Sequence, residues 1–588
     1  MKSLRTQLTD IFSHAFIAAG MEGRYGTVGI SQRPEISDFQ CNGALPAAKA
    51  FKKKPREIAE AVIAALGSNA LITKTSIDGP GFINITVSDA AITSASGELN
   101  GIDQNANTLT ADKRMTVIDF GGPNVAKPMH VGHLRTSIIG DALQRLMHRL
   151  GVPLVSINHL GDWGLQMGMV IKALSEDKPD LPYFDPKHTG AYPDTSPVTA
   201  AELDTIYPAS AQRCKADDAE MKKAQDITAD LHRGNPGYRA LWRQLVDVSR
   251  AELTREFDAL DVHFDHWRGE SYYHDKIPAI VEQMKSSHHA VMSEGALVIP
   301  FTEEETGGRE LPPFMLVKSD GAFLYSTTDF TAVDSRVKEF NAERLIYVVD
   351  KRQSLHFVQL FLAVKKTGIA PGAELLHIPF GTVNGTDGKP FKTRAGGVMK
   401  LGDLISQAID KAREKMKEAG MAAGYPEDEQ KTIAHAVGIA ALKFADLVNH
   451  RETDYIFDLD AFMRFEGKTG PYLLYTAVRI KSILRKAAER GFSEAALSVF
   501  SPGERELMLR LTRYPDVLVS AYETLLPSYL CEYIHETAQA FNMFYANCNI
   551  INETDAAKRG SWLSLCRVTL TVLESALSVL GISTPERM

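Results

Sequence analysis

Residues 115–161 read MTVIDFGGPNVAKPMHVGHLRTSIIGDALQRLMHRLGVPLVSINHLG, and their pattern decides the fold. MTVIDF is short and β-rich. HLRTSIIGDALQRLMHRLG carries the apolar period of a helix with Gly151 as its stop, and VPLVSINHLG is a second buried strand. Strand, crossover helix and strand in that order predict a parallel α/β sheet. Where the first strand gives way to the helix, His130 and His133 bracket Gly132. Two histidines three apart fit metal binding, packing or the holding of phosphates. A metal needs further ligands, and none stands nearby in sequence. A helix opening at a strand end offers unpaired backbone N–H groups and a dipole that favour an anion, so phosphate binding leads. Gly132 is expected to let a base or ribose approach the backbone.

Outward from this stretch, 588 residues exceed what one core accommodates, so about three or four domains are expected. Before it, residues 1–110 mix helical and strand-like runs, among them KAFKKKPREIAEAVIAAL and GPGFINITV, and the stretch GELNGIDQNANTLTADKR that leads out of them reads as a polar linker. Residues 111–455 make the α/β part, with a charged, mostly helical insertion over about 171–260. The β-rich runs GALVIPF, PPFMLVKSDGAFLYSTTDF, RLIYVVD and LLHIPFGTV follow it, with Asp320-Gly321 offering a hairpin turn. Residues 456–588 are almost wholly helical. In YTAVRIKSILRKAAERG, Ile480, Ile483, Leu484 and Ala487 share one apolar face.

With 44% hydrophobic and 23% charged residues and a mean hydropathy of -0.15, the chain reads as a globular protein without a membrane-crossing run. The N-terminal MKSLRTQLTDIFSHAF spaces Leu4, Leu8, Ile11 and Phe12 as an amphipathic helix rather than a signal peptide, so a cytoplasmic location is expected. Cys41, Cys214, Cys531, Cys548 and Cys566 are scattered and never form a CxxC pair, which signals neither a disulfide framework nor a zinc site. A net charge of -8 gives no general attraction for a polyanion, so a nucleic-acid partner needs basic groups gathered locally, as at Lys49, Lys52, Lys53, Lys54 and Arg56.

A second phosphate-directed element lies in NGTDGKPFKTRAGGVMKL, where Lys389, Lys392 and Arg394 stand among glycines. It fails as a P-loop, because Lys389 is followed by proline and no glycine stands five positions before Gly388. Cations on such a loop suit charge that develops on a leaving pyrophosphate.

His-Val-Gly-His has the form of the HIGH signature of class I aminoacyl-tRNA synthetases, and GGPNVAKPMHVGHLRTSIIGDALQRL resembles the arginyl-tRNA synthetases in particular, of bacterial type. The likeness extends to NHLGDWGLQMG, VVDKRQSLHFVQLF, KFADLVNHRETDYIFDLDAFMRFEGKTGPYLLYTAVR, the N-terminal ISDFQCNGALPAAKAFKKKPREIA and the C-terminal LGISTPERM, nearly the whole chain. KPFKT stands where the family has its KMSKS loop and keeps Lys389 and Lys392 at the spacing of the two lysines.

The resemblance implies a Rossmann-type catalytic domain with helical insertions, an N-terminal α+β domain that touches the tRNA elbow, and an all-α anticodon-binding domain. It implies an arginine–tRNA ligase that uses ATP with Mg2+, needs no zinc or membrane, and acts as a monomer on L-arginine and tRNA(Arg). Carried over by position, His130, Gly132, His133, Lys389 and Lys392 serve ATP, and both histidines and both lysines stabilise the transition state. Gly122, Pro123, Asn124, His133, Glu270, Tyr325, Asp329 and Gln353 would hold arginine. Gln40, Asn42, Tyr472, Tyr475 and Arg479 would touch tRNA, with Phe544 and Tyr545 as further aromatic candidates. A guanidinium is a planar cation with a fork of donors, so carboxylates at its pocket are chemically apt.

Overall fold

The computed structural model describes residues 2–385, 387–389, 391 and 399–588. Near the N-terminus, an antiparallel sheet runs in the order Val28–Ile30, Phe39–Cys41, Phe82–Val87, Ile72–Asp78, with helices Leu4–Ala18, Ala44–Phe51 and Pro55–Leu66 packed on it. Leu4, Leu8, Phe12 and Phe16 are buried, as the amphipathic spacing predicts.

The central sheet has five parallel strands: β1 (Thr116–Asp119), β2 (Leu154–Asn158), β3 (His266–Trp267), β4 (Arg344–Asp350) and β5 (Glu374–Phe380). Their spatial order is β5-β4-β1-β2-β3. β1 and most of β4 are buried, the run of apolar residues expected of strands covered on both faces. From β1 the chain steps outward through β2 to β3, then returns to the other side of β1 for β4 and β5. The carboxyl ends of β1 and β4 therefore flank a topological switch point, where open α/β sheets bind ligands.

Helix Val131–Arg149 joins β1 to β2, and Gly151 turns the chain at a φ of 65°. Four helices, Leu165–Asp177, Ala200–Ala216, Asp218–His232 and Pro236–Ala259, fill the connection from β2 to β3. A small antiparallel sheet, Val291–Ser293, Ala296–Ile299 and Phe314–Val317, lies in the connection from β3 to β4. Beyond residue 469 come helices Gly470–Glu489, Pro502–Leu511, Tyr514–Thr524, Ser528–Asn547 and Ala556–Val579. Ile480, Ile483, Leu484 and Ala487 are buried as expected, and one apolar core runs from the N-terminal sheet into this bundle.

Three expectations are corrected. The stretch read as a polar linker is short helical turns whose Leu99, Ile102 and Ala106 are buried, a 3–4 spacing masked by the polar residues between them. Asp320-Gly321 does turn the chain, with Gly321 at a φ of 83°, but only Val317 and Phe323 pair across it. The returning segment then enters helix Tyr325–Phe340 instead of a strand. Finally, Ala556–Val579 is long and apolar enough to cross a bilayer, which the sequence reading missed. In the fold 72% of its most apolar stretch is buried, as in a core helix.

Candidate active site

The two histidines cap their own helix. His130 is the N-cap of Val131–Arg149, and its Nδ1 accepts from the Gly132 N–H at 3.0 Å, while Nδ1 of His133 accepts from the His130 N–H at 3.1 Å. With both Nδ1 atoms accepting, the proton of each neutral ring sits on Nε2, which leaves each imidazole one donor. Their ring centroids are 4.1 Å apart. Burial, followed by the neighbouring His130, drives His133 down to about 3, so it stays neutral at physiological pH. Burial also lowers His130, with Arg352 and Lys127 adding to the effect.

Gly132 has a structural reason beside the expected one. A Cβ there would meet His130 Cε1 at 2.7 Å and Nδ1 at 2.9 Å. The glycine makes room for the His130 ring to fold back onto the helix start. It also lines the cleft, so the ring and any ligand share that space.

The cleft at the switch point encloses about 420 Å3. Gly122, Asn124, His130, Gly132, His133, Glu270, Tyr325, Asp329 and Gln353 all line it. At the end of β1, Gly121 and Gly122 take φ values of 88° and 57°. Their N–H groups donate to Thr136 Oγ1 and Asn158 Oδ1, both at 3.0 Å. Asn124 folds over Gly161, where a Cβ would stand 2.1 Å from its Oδ1. Pro123 is buried and does not line the cleft; its carbonyl accepts from Gly161 N–H at 3.1 Å.

One wall is acidic. Glu270 opens the short helix Glu270–His274, and burial, then Asp162 and Asp329, raise its carboxyl to about 7. Asp162, raised by burial, accepts from the Ser271 N–H and hydroxyl at 3.0 and 2.6 Å. Tyr325 and Asp329 stand one turn apart on helix Tyr325–Phe340. His356 Nε2 lies 2.7 Å from Asp329 Oδ2, and His159 Nε2 lies 4.0 Å from Oδ1. Among the described residues, no lysine or arginine pairs with Glu270, Asp162 or Asp329. Carboxylates gathered without a cation favour a cationic ligand.

Lys389 is exposed in the turn that follows Val383–Asn384 and is not among the residues lining the cleft. Lys392 lies outside the described residues. The proposed tRNA residues stand apart from the cleft. Gln40 donates to Asn84 Oδ1 at 2.9 Å, and Asn42 is exposed. Arg479 lies over the rings of Tyr475 and Tyr545 at 4.6 and 5.6 Å and donates to Asn542 Oδ1 at 2.7 Å. Asn542 in turn donates to Tyr472 Oη at 2.9 Å. Phe544, 3% exposed, is a core residue.

Sequence reasoning passed over His159, His356, Thr136 and Tyr347, all of which line the cleft. His159 and His356 sit inside NHLGDWG and RQSLH, whose likeness to the family was their one signal.

Residues 2–87, 99–459 and 473–588 match, respectively, the families described as arginyl tRNA synthetase N terminal domain, tRNA synthetases class I (R), catalytic domain, and DALR anticodon binding domain. The chain is 46% identical over its full length, and theirs, to arginine–tRNA ligases of Hyphomonas neptunium and Maricaulis maris. Among solved structures it superposes on arginyl-tRNA synthetase from Plasmodium falciparum with a TM-score of 0.82 at 25% identity, each chain covered completely. The Thermus thermophilus arginyl-tRNA synthetase, 21% identical and also fully covered, shares the fold with a TM-score of 0.79. With its nucleotide-type switch point, its histidine-capped helix and these full-length likenesses, the chain belongs to the arginyl-tRNA synthetase family of class I.

Proposed function

We infer that the cleft joins L-arginine to ATP and then to tRNA(Arg), as an arginine–tRNA ligase of protein synthesis. The arginine carboxylate attacks the α-phosphorus of ATP, the bond to the β-phosphate oxygen breaks, and pyrophosphate leaves. The 2′-hydroxyl of the tRNA's terminal adenosine then attacks the arginyl carbonyl, and AMP departs. Positioning and charge stabilisation suffice for both steps, so no covalent protein nucleophile is required.

The observation that carries this reading is one cleft with two walls. His130 and His133 offer neutral Nε2 donors suited to phosphate oxygens, and Glu270 and Asp329, with no lysine or arginine paired to them among the described residues, offer carboxylates suited to a guanidinium. Gly122, Asn124, Tyr325 and Gln353 hold the amino acid between the walls, with Pro123 shaping the turn behind them. Lys389 and Lys392 act on the phosphates, and Lys392→Ala should lower kcat of adenylation. Mg2+ enters with the nucleotide.

Residues 1–110 and 456–588 serve tRNA, through Gln40 and Asn42 and through Tyr472, Tyr475 and Arg479 respectively. The stacked Tyr475, Arg479 and Tyr545 support the second assignment, since unpaired bases stack on such groups. The reading includes a cytoplasmic, monomeric enzyme, whose state sedimentation tests.

Pyrophosphate exchange into ATP, run with cognate tRNA across all amino acids, is the deciding experiment. Exchange is expected with arginine alone; equal rates with other amino acids reject the assignment.

A further inference from the structure

We propose that His356 is a positioning residue for arginine recognition, holding the Asp329 carboxylate in one orientation so that its other oxygen meets the guanidinium. This rests on the assignment of Asp329 to the arginine pocket.

The two oxygens of Asp329 have different surroundings. Oδ2 receives His356 Nε2 at 2.7 Å, within hydrogen-bond range for an N–H donor to a carboxylate. Oδ1 faces His159 Nε2 at 4.0 Å, too far for a hydrogen bond, and no group among the described residues donates to it. His159 cannot turn to close that gap without losing its own partner, because its Nδ1 accepts from Arg336 Nη2 at 3.1 Å. Arg336 is fixed in turn by Asp119 Oδ2 at 2.7 Å and Tyr273 Oη at 3.3 Å. One oxygen of Asp329 is thus tied and the other is open to the cleft.

The choice of an imidazole matters. A lysine or arginine at position 356 would orient Asp329 equally well but would cancel the charge that the pocket needs for a cation. An imidazole can orient the carboxylate through one N–H without carrying a fixed positive charge, which no lysine or arginine can do. The ring is itself braced, 5.0 Å from the Tyr325 ring and 5.3 Å from Phe357, so the residue that aims Asp329 also touches Tyr325. Helix Ser354–Thr367 supplies His356, and helix Tyr325–Phe340 supplies Asp329 and Tyr325. The pocket's geometry therefore depends on how these two helices meet.

Steady-state pyrophosphate exchange with cognate tRNA tests this in the full chain with His356→Ala, His356→Gln, Asp329→Ala and the Asp329→Ala/His356→Ala double variant. His356→Ala should raise KM for arginine about 10- to 100-fold, the worth of a hydrogen bond to a charged group, with KM for ATP unchanged within twofold. His356→Gln, whose Nε2 can replace the imidazole donor, should recover most of that loss. In the Asp329→Ala background, His356→Ala should add nothing further. The proposal is overturned if KM for arginine is unmoved in His356→Ala, if both KM values rise together, if glutamine fails to rescue, or if the two single losses multiply in the double variant. Should Asp329→Ala itself leave KM for arginine unchanged, the pocket assignment fails first; if it raises KM while His356→Ala does not, only the positioning role falls.

Discussion

Arg135, one turn into the helix that His130 and His133 cap, lies 3.0 Å from Asp446 Oδ2, with both side chains essentially out of solvent. The guanidinium also donates to the Thr453 carbonyl at 3.1 Å and lies over the Tyr455 ring at 5.1 Å, and Tyr455 Oη lies 3.1 Å from the same Asp446 oxygen. The histidine-bearing helix is thereby fastened to helix Glu427–Leu447. Removing one member strands the other charge, which costs about 3–5 kcal/mol at buried pairs. Arg135→Ala should show that loss in urea denaturation, whereas Arg135→Met/Asp446→Leu should lose clearly less. A change below about 1 kcal/mol in Arg135→Ala would mean that the pair is energetically neutral.

Gly132→Ala should be mild for stability and severe for activity. The added methyl meets the mobile end of a side chain, so the His130 ring can swing away and the helix survives. The ring then no longer accepts from the Gly132 N–H, and its Nε2 donor is misaimed. A fall of about 100-fold in kcat is expected, the scale of losing one aimed donor, with little change in Tm. A wild-type kcat would refute this reason for the glycine.

Arginine affinity should depend on pH through Glu270. Burial, then Asp162 and Asp329, hold its carboxyl near 7, so below that pH it carries a proton. A bound guanidinium favours the carboxylate, and binding below pH 7 therefore requires the proton to leave. KM for arginine should fall as pH rises from 6 towards 8, by up to about tenfold per unit on the acid side, and then level off. Glu270→Gln should flatten that limb; a variant that keeps it assigns the titration elsewhere. The same raised value means that Glu270 favours folding at low pH, a contribution lost as pH rises through 7.

At Gly161, alanine would drive a Cβ to 2.1 Å from Asn124 Oδ1 and displace that side chain from the cleft wall. Gly161→Ala should raise KM for arginine about tenfold or more, read in the same exchange assay alongside KM for ATP. A rise confined to ATP would place Asn124 on the nucleotide side.

How much of this was legible in the sequence follows from the range of each interaction. The β1–helix–β2 unit is local, so its period and the Gly151 stop predicted it, and the histidine pair marked one wall of the cleft. The acidic wall is not local. Asp162 comes from the connection between β2 and β3, Glu270 and Asp329 from two separate helices in the connection between β3 and β4, and only the folded sheet brings them together. Nothing in RQSLH states that its histidine meets Asp329, or that His159 is held by Arg336. The misread linker shows a different failure. Leu99, Ile102 and Ala106 had helical spacing, but polar neighbours outweighed them in a composition-based reading.

The sheet order also sets a timetable for synthesis. β1 pairs with β2, less than 40 residues later, on one side, but its other neighbour is β4, whose Arg344 lies opposite Thr116. At about 5–20 residues per second, a ribosome needs roughly 10–45 s to make the intervening chain. Throughout that interval the apolar edge of β1 has no partner, and the switch point that forms the cleft does not yet exist. The helical insertion between β2 and β3 lengthens the wait. The emerging chain is therefore most exposed to aggregation before β4 appears, and shortening that insertion should raise the soluble yield of newly made protein more than it changes the stability of the finished fold.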